Sequence, residues 1–242
     1  MKETLFTKWL PIAFQTIGFT IISFSVYLSR KKTRKSRLNI IRLYILICFL
    51  DYFLSIPIDT FFNERRIQFN SLLINLFTYF EIATFYCFFY KTIYRRLQKI
   101  IMLALFACFS AYYIYDVWGF DKIFTFNRNS FGIESVMITV PCFFYFYEIV
   151  NTNSEINFKR DPNFFVATGA FVYFSITTQY YLLSFFDEVI PNYKNIANCI
   201  NLFFYDVMLG LFAIAFFYDR KFLNNTELNY HRSINNLNLP SS

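Results

Sequence analysis

The 242-residue chain is 56% hydrophobic and 24% aromatic, with 16% charged residues and a formal net charge of +7. Soluble domains are about 25% charged, so too few polar side chains are present to coat a water-facing globule. The surplus base lies in short segments between apolar runs, where anionic lipid headgroups attract it, and not on the single basic face that a nucleic-acid binder presents. No nucleic-acid partner is expected.

A hydrocarbon core about 30 Å thick takes roughly 20 apolar residues of helix, and seven such runs occur in chain order. They are approximately Leu10–Leu28, Ile40–Phe62, Leu72–Tyr90, Ile100–Trp118, Ile133–Val150, Phe164–Phe186 and Ile196–Tyr218. With only five glycines and six prolines in the chain, the runs can be helical, and helices satisfy their backbone groups internally, as lipid demands. The alternating strands of about ten residues that build an outer-membrane barrel are absent. The first run has no small-residue cleavage site and ends in SRKKTRK, so it is expected to remain as a span. The expected fold class is all-α: a polytopic seven-transmembrane-helix bundle over residues 1–218, followed by a polar tail over 219–242.

Lys and Arg in the connections set an orientation. One side holds RKKTRKSR, KTIYRRLQK, Lys159 and Arg160, and Arg220, Lys221 and Arg232 of the tail, fifteen bases in all. The other holds Lys2, Lys8, Arg65, Arg66, Lys122, Arg128 and Lys194, seven in all, while Arg42 lies just inside the second span. This predicts an outside N-terminus and a cytoplasmic C-terminus. Trp9, Tyr27, Tyr90, Tyr94 and Trp118 near span ends suit interfacial belts. The expected location is a multi-pass position in the cell membrane, with anionic headgroups at the cytoplasmic loops. Abundant Phe, Ile, Asn, Lys and Tyr also follow AT-rich coding, which points to a bacterial inner membrane.

The five cysteines, Cys48, Cys87, Cys108, Cys142 and Cys199, all lie in apolar runs without C-x-x-C spacing, as small hydrophobes do. The single histidine, His231, is in the tail, which excludes a His-based metal centre or triad in the bundle. No metal and no cofactor is expected.

The acids inside the runs carry the functional question. Asp51, in CFLDYFLSIPID, Glu81 and Asp206 stand near the centres of the second, third and seventh spans. A charge at mid-membrane costs about 2.5–3.5 kcal/mol on insertion scales, so such groups are expected to face a polar interior. Helical spacing puts Tyr44, Cys48, Asp51, Ser55 and Asp59 on one face, and Ser71, Asn75, Thr78 and Glu81 on another. Thr168, Ser175 and Gln179 align on the sixth span, and Pro57 can kink the second above Asp51. Candidate ligand- or ion-binding residues are therefore Asp51, Glu81, Asp206, Ser55, Asn75, Thr78 and Gln179. The alternative is that they are neutral interhelical hydrogen-bonders holding the bundle together. Glu134 and Glu148, nearer the ends of the fifth span, are expected to reach headgroups by snorkelling.

No G-x-x-x-x-G-K-S/T, G-x-G-x-x-G, H-E-x-x-H or G-x-S-x-G occurs. Neither LDYF around Asp51 nor YDVM around Asp206 has the glycine-rich setting an aspartyl intramembrane protease uses to admit substrate backbone. The seventh span has no lysine for a retinal Schiff base. An enzyme is not expected, and no catalytic residue is assigned. The arrangement suits a receptor-like or sensory bundle whose polar interior site signals through a separate cytoplasmic or membrane partner. One alternative is a small proton- or cation-coupled transporter or channel; another is a membrane scaffold subunit with no ligand of its own.

Overall fold

The computed structural model describes residues 5–29, 38–61, 66–118, 124–125, 128–151, 161–183 and 198–219, the side chains of 5–12, 15, 26, 28–29, 51–69, 118, 128 and 183 not among them. Among the described residues the chain is entirely helical. The helices are α1 (Leu5–Ser29), α2 (Asn39–Phe61), α3 (Arg66–Thr92), α4 (Arg96–Tyr113), α5 (Arg128–Asn151), α6 (Pro162–Leu183) and α7 (Asn198–Asp219). Each covers one of the seven apolar runs. The starts of α3 and α5 lie earlier than those runs, because their first turns are built from polar residues that hydropathy alone leaves out. At its end α4 widens into a π-turn over Ile114–Trp118. That turn buries Asp116, whose Oδ2 accepts hydrogen bonds from Tyr112 and Ser130. The expected tail, 219–242, lies outside the described residues beyond Asp219.

Four stretches, Asn70–Thr92, Arg96–Val117, Asn129–Asn151 and Asn198–Asp219, are long and apolar enough to cross a membrane. At 1.5 Å per residue each reaches about 33 Å, which fits a multi-pass membrane protein. The described apolar parts of α1 and α2, Thr16–Ser25 and Asn39–Leu50, are shorter. The sixth helix is long enough but carries Thr177, Thr178, Gln179, Tyr180 and Tyr181 in succession, which lowers its hydropathy. Large apolar side chains point away from the protein along α4 (Leu97, Ile100, Leu103), α5 (Phe143, Val150) and α7 (Ile214, Phe217). Apolar faces of this kind suit acyl chains better than water.

Contacts between helices give their directions. The third and fifth run parallel: Tyr86 Oη donates to the Met137 carbonyl at 3.1 Å, and the Tyr94 and Arg95 amides donate to Glu148 at 3.0 and 2.6 Å. The sixth runs antiparallel to both the fifth and the seventh, through Phe131–Tyr181 and Phe146–Phe164 on one side and Phe165–Tyr218 and Tyr173–Tyr205 on the other. Phe14–Phe203 and Gly18–Asp206 align α1 parallel to α7. Arg42 near the start of α2 pairs with Asp219 at the end of α7, at 2.8 Å. The core between them is aromatic, with Tyr44, Phe85, Phe174 and Phe212 in mutual ring contact at 5.3–6.2 Å.

Glu148 does not reach outward as expected from its position. It is buried, and both its oxygens accept backbone N–H groups from the three-residue α3–α4 connection. Arg95, the N-cap of α4, has no side-chain cap of its own. A carboxylate supplied by α5 therefore does the work an Asp or Ser would do locally, satisfying donors that a helix start leaves open.

Close packing of α6 on α7 depends on Gly169, where an added Cβ would stand 3.2–3.3 Å from Phe212, Leu211 and the Met208 carbonyl. At Gly210 nothing lies within 4 Å of the same addition. Gly169→Leu is expected to destabilise by about 1–3 kcal/mol. Gly210→Ala should be neutral or stabilise by up to about 1 kcal/mol through helix propensity. Thermal unfolding of the two variants in detergent checks the contrast.

Candidate functional site

Six of the seven helices enclose a cavity of about 590 Å³, within the range of small-molecule sites. Its wall includes Gly18 from α1, Cys48 from α2, Glu81 from α3, Glu134 from α5, Thr177 from α6 and Asp206 from α7. Among the described lining residues there is no lysine or arginine, and three carboxyls meet one space.

Two of the three lie side by side. Tyr44, fully buried on α2, donates its hydroxyl to Glu81 Oε1. Glu134 on α5 lines the same cavity as Glu81 and interacts with it electrostatically. The parallel register of α3 and α5 places them together, since the flanking bonds join residues 51–54 apart in sequence and Glu81 and Glu134 fall in the same register. Glu81 is 6% and Glu134 1% exposed, and Glu134 Oε1 has no partner among the described residues.

Asp206 differs. It is 8% exposed, and its buried Oδ2 has no hydrogen-bond partner among the described residues. Across from it Gly18 brings the α1 backbone so close that a Cβ there would lie 2.6 Å from Asp206 Oδ1. Cys48, one turn along α2 from Tyr44, lines the same cavity as Tyr205, the chain neighbour of Asp206.

Of the residues expected to form a site, Glu81 and Asp206 are brought together on one cavity. Thr78 is buried but donates to the carbonyl of Ile74, one turn back in its own helix, and Asn75 donates to the Thr125 carbonyl while its own carbonyl accepts from Tyr113. Neither lines the cavity, and Gln179 is exposed. The side chains of Asp51 and Ser55 lie outside the described residues. Glu134 and Tyr44 belong to the site without having been among the candidates. For Tyr44 a signal existed, because it shares the helical face of Cys48 and Asp51. For Glu134 there was none beyond the acid itself, since its partner is chosen by register. The headgroup position expected for it is corrected by its burial against Glu81.

No protein-family model, curated protein or solved structure matches this chain. The cavity itself is thus the basis for assigning a role.

Gly18→Ala is expected to drive the Asp206 carboxyl out of place at a cost of about 1–3 kcal/mol. In an Asp206→Ala background the same glycine substitution should cost much less. A double-mutant cycle on thermal unfolding reads that coupling, and additive effects would separate the two residues.

Proposed function

We propose that this chain is a seven-span integral membrane protein of the receptor-like or sensory kind, holding a small ligand in its interior and signalling through a separate partner. The observation that carries this reading is the internal cavity with an unpartnered, buried carboxyl oxygen of Asp206 in its wall. Burying a polar group without a partner costs about 1–3 kcal/mol in proteins, and an ionised one more. A ligand that supplies the missing partner recovers that energy and favours whichever helix arrangement closes on it. The helices alternate in direction, which supports seven crossings with the N-terminus outside and the C-terminus in the cytoplasm. Signals would leave from the basic loops or the tail.

A second reading draws on Tyr44, Glu81 and Glu134, where Tyr44 donates to Glu81 and Glu134 stands in the same wall. Neighbouring carboxyls that take up a proton in the middle of a bundle are what proton-coupled transport requires. It predicts that Glu81→Gln abolishes acidification of proteoliposomes under an imposed potential, followed with a trapped pH dye. A receptor would give no such flux in either form.

Two measurements test the first reading. Epitope tags at the two termini should label from opposite sides of intact cells or spheroplasts, and same-side labelling overturns the seven-span topology. Cys48 and Cys142 are both buried, but only Cys48 lines the cavity. Methyl methanethiosulfonate, a small neutral thiol reagent, is expected to modify Cys48 several-fold faster than Cys142 in the folded protein. Equal rates, read by peptide mass spectrometry, would mean that no ligand can enter.

A further inference from the structure

We infer that the cavity takes an organic monocation, an amine or quaternary ammonium on an apolar or aromatic body, with its charged head at Asp206. This rests on the cavity being a ligand site and names what the site selects. Two carboxyl oxygens of the wall, Glu134 Oε1 and Asp206 Oδ2, lack a hydrogen-bond partner among the described residues. Glu134 stands beside Glu81, which already accepts the Tyr44 hydroxyl, whereas Asp206 Oδ2, in a side chain more than nine-tenths buried, has no such donor near it among the described residues. One positive charge, or one strong donor, completes that position.

The rest of the wall argues for an organic ion over an inorganic one. Among the described residues no group of three or more His, Cys, Asp or Glu side chains lies close enough to hold a metal ion, so a dehydrated cation would lack the six or more oxygens that calcium takes, or the octahedron that magnesium demands. Phe14, Phe19, Tyr173, Tyr181 and Tyr205 line the same space. Aromatic faces attract an ammonium group within about 6 Å of the ring centre and give an apolar body large contact area. Thr177 and Asn201, hydrogen-bonded to each other at 2.8 Å, supply neutral polar atoms at the same wall. Two other pockets, of about 480 and 430 Å³, carry no acid in their linings. An acyl chain would suit those, and a cation would not.

The test uses the full chain in lipid nanodiscs, titrated at constant ionic strength with phenethylammonium, its neutral counterpart 2-phenylethanol, phenylacetate and sodium. Thermal unfolding and the rate of Cys48 modification are followed together. Phenethylammonium should raise Tm saturably and protect Cys48, with the other three needing about tenfold higher concentration or more. Asp206→Asn should weaken phenethylammonium by about tenfold or more while leaving the response to 2-phenylethanol unchanged. An equal response to 2-phenylethanol, a stronger one to phenylacetate or sodium, or none to phenethylammonium overturns the assignment. If 2-phenylethanol then still protects Cys48, the cavity remains a ligand site with a different preference. If Cys48 reacts no faster than Cys142 in the absence of any probe, the ligand site itself is lost. Should Asp206→Asn fail to fold, the comparison of charged and neutral probes on the unaltered chain decides the matter.

Discussion

A carboxyl group removed from water needs a donor, a proton or a cation, and the interior of this protein is organised by that requirement. Three acids face one cavity, with no base among its described lining residues. Glu81 meets the requirement through the Tyr44 hydroxyl and has Glu134 beside it. The Tyr44 bond ties α3 to α2, so the same bond that answers the carboxyl also holds those two helices in register. Removing Tyr44 would leave a buried acceptor unmatched, which costs more than the bond was worth. Asp206 meets the requirement only in part. A fully satisfied interior would be a scaffold, and one that leaves Asp206 Oδ2 and Glu134 Oε1 without partners among the described residues has a place for something else.

The two ends of the bundle solve the same problem by other means. At one end Arg42 lies between Asp219 and Asn39 and near the Phe216 ring, joining α2 to α7. Glu148 spans from α5 to the α3–α4 connection. At the other end Asn75, Tyr113 and Thr125 join α3 to α4 and the segment after it, and Thr177 meets Asn201 between α6 and α7. Polar bonds thus close both ends around an aromatic middle. Where apolar surface faces outward there is little hydrophobic drive to bring helices together, and association falls to packing and such bonds. Gly169 and Gly18 serve the packing side of that balance, each allowing a helix pair to approach closely.

Polar residues along an apolar helix turn out to be weak evidence for a shared polar interior. Thr78, Thr84, Thr92, Ser110, Ser135, Thr139 and Thr178 all donate to the carbonyl four residues back. A hydroxyl in a helix can satisfy itself without leaving its own backbone, so a stripe of Ser and Thr need not face anything. Carboxyls have no such local option, because an ionised acid only accepts and every carbonyl around it does the same. That is why Glu81 and Asp206 reach the cavity wall, while Thr78 bonds within its own helix and Gln179 is exposed.

The apolar run lengths and the sparse glycine and proline determine by themselves that this chain is helical and suited to a membrane, because hydrocarbon thickness and backbone hydrogen bonding leave few alternatives. The isolated acids determine by themselves that something inside must answer them. Which acid meets which was decided only by tertiary structure. Glu134 stands second in its apolar run and looks interfacial along the chain, yet α5 begins at Arg128 and lies parallel to α3 at a fixed offset, which carries it to Glu81. That offset is set by side-chain packing between helices 53 residues apart in sequence, and no pattern within either helix encodes it.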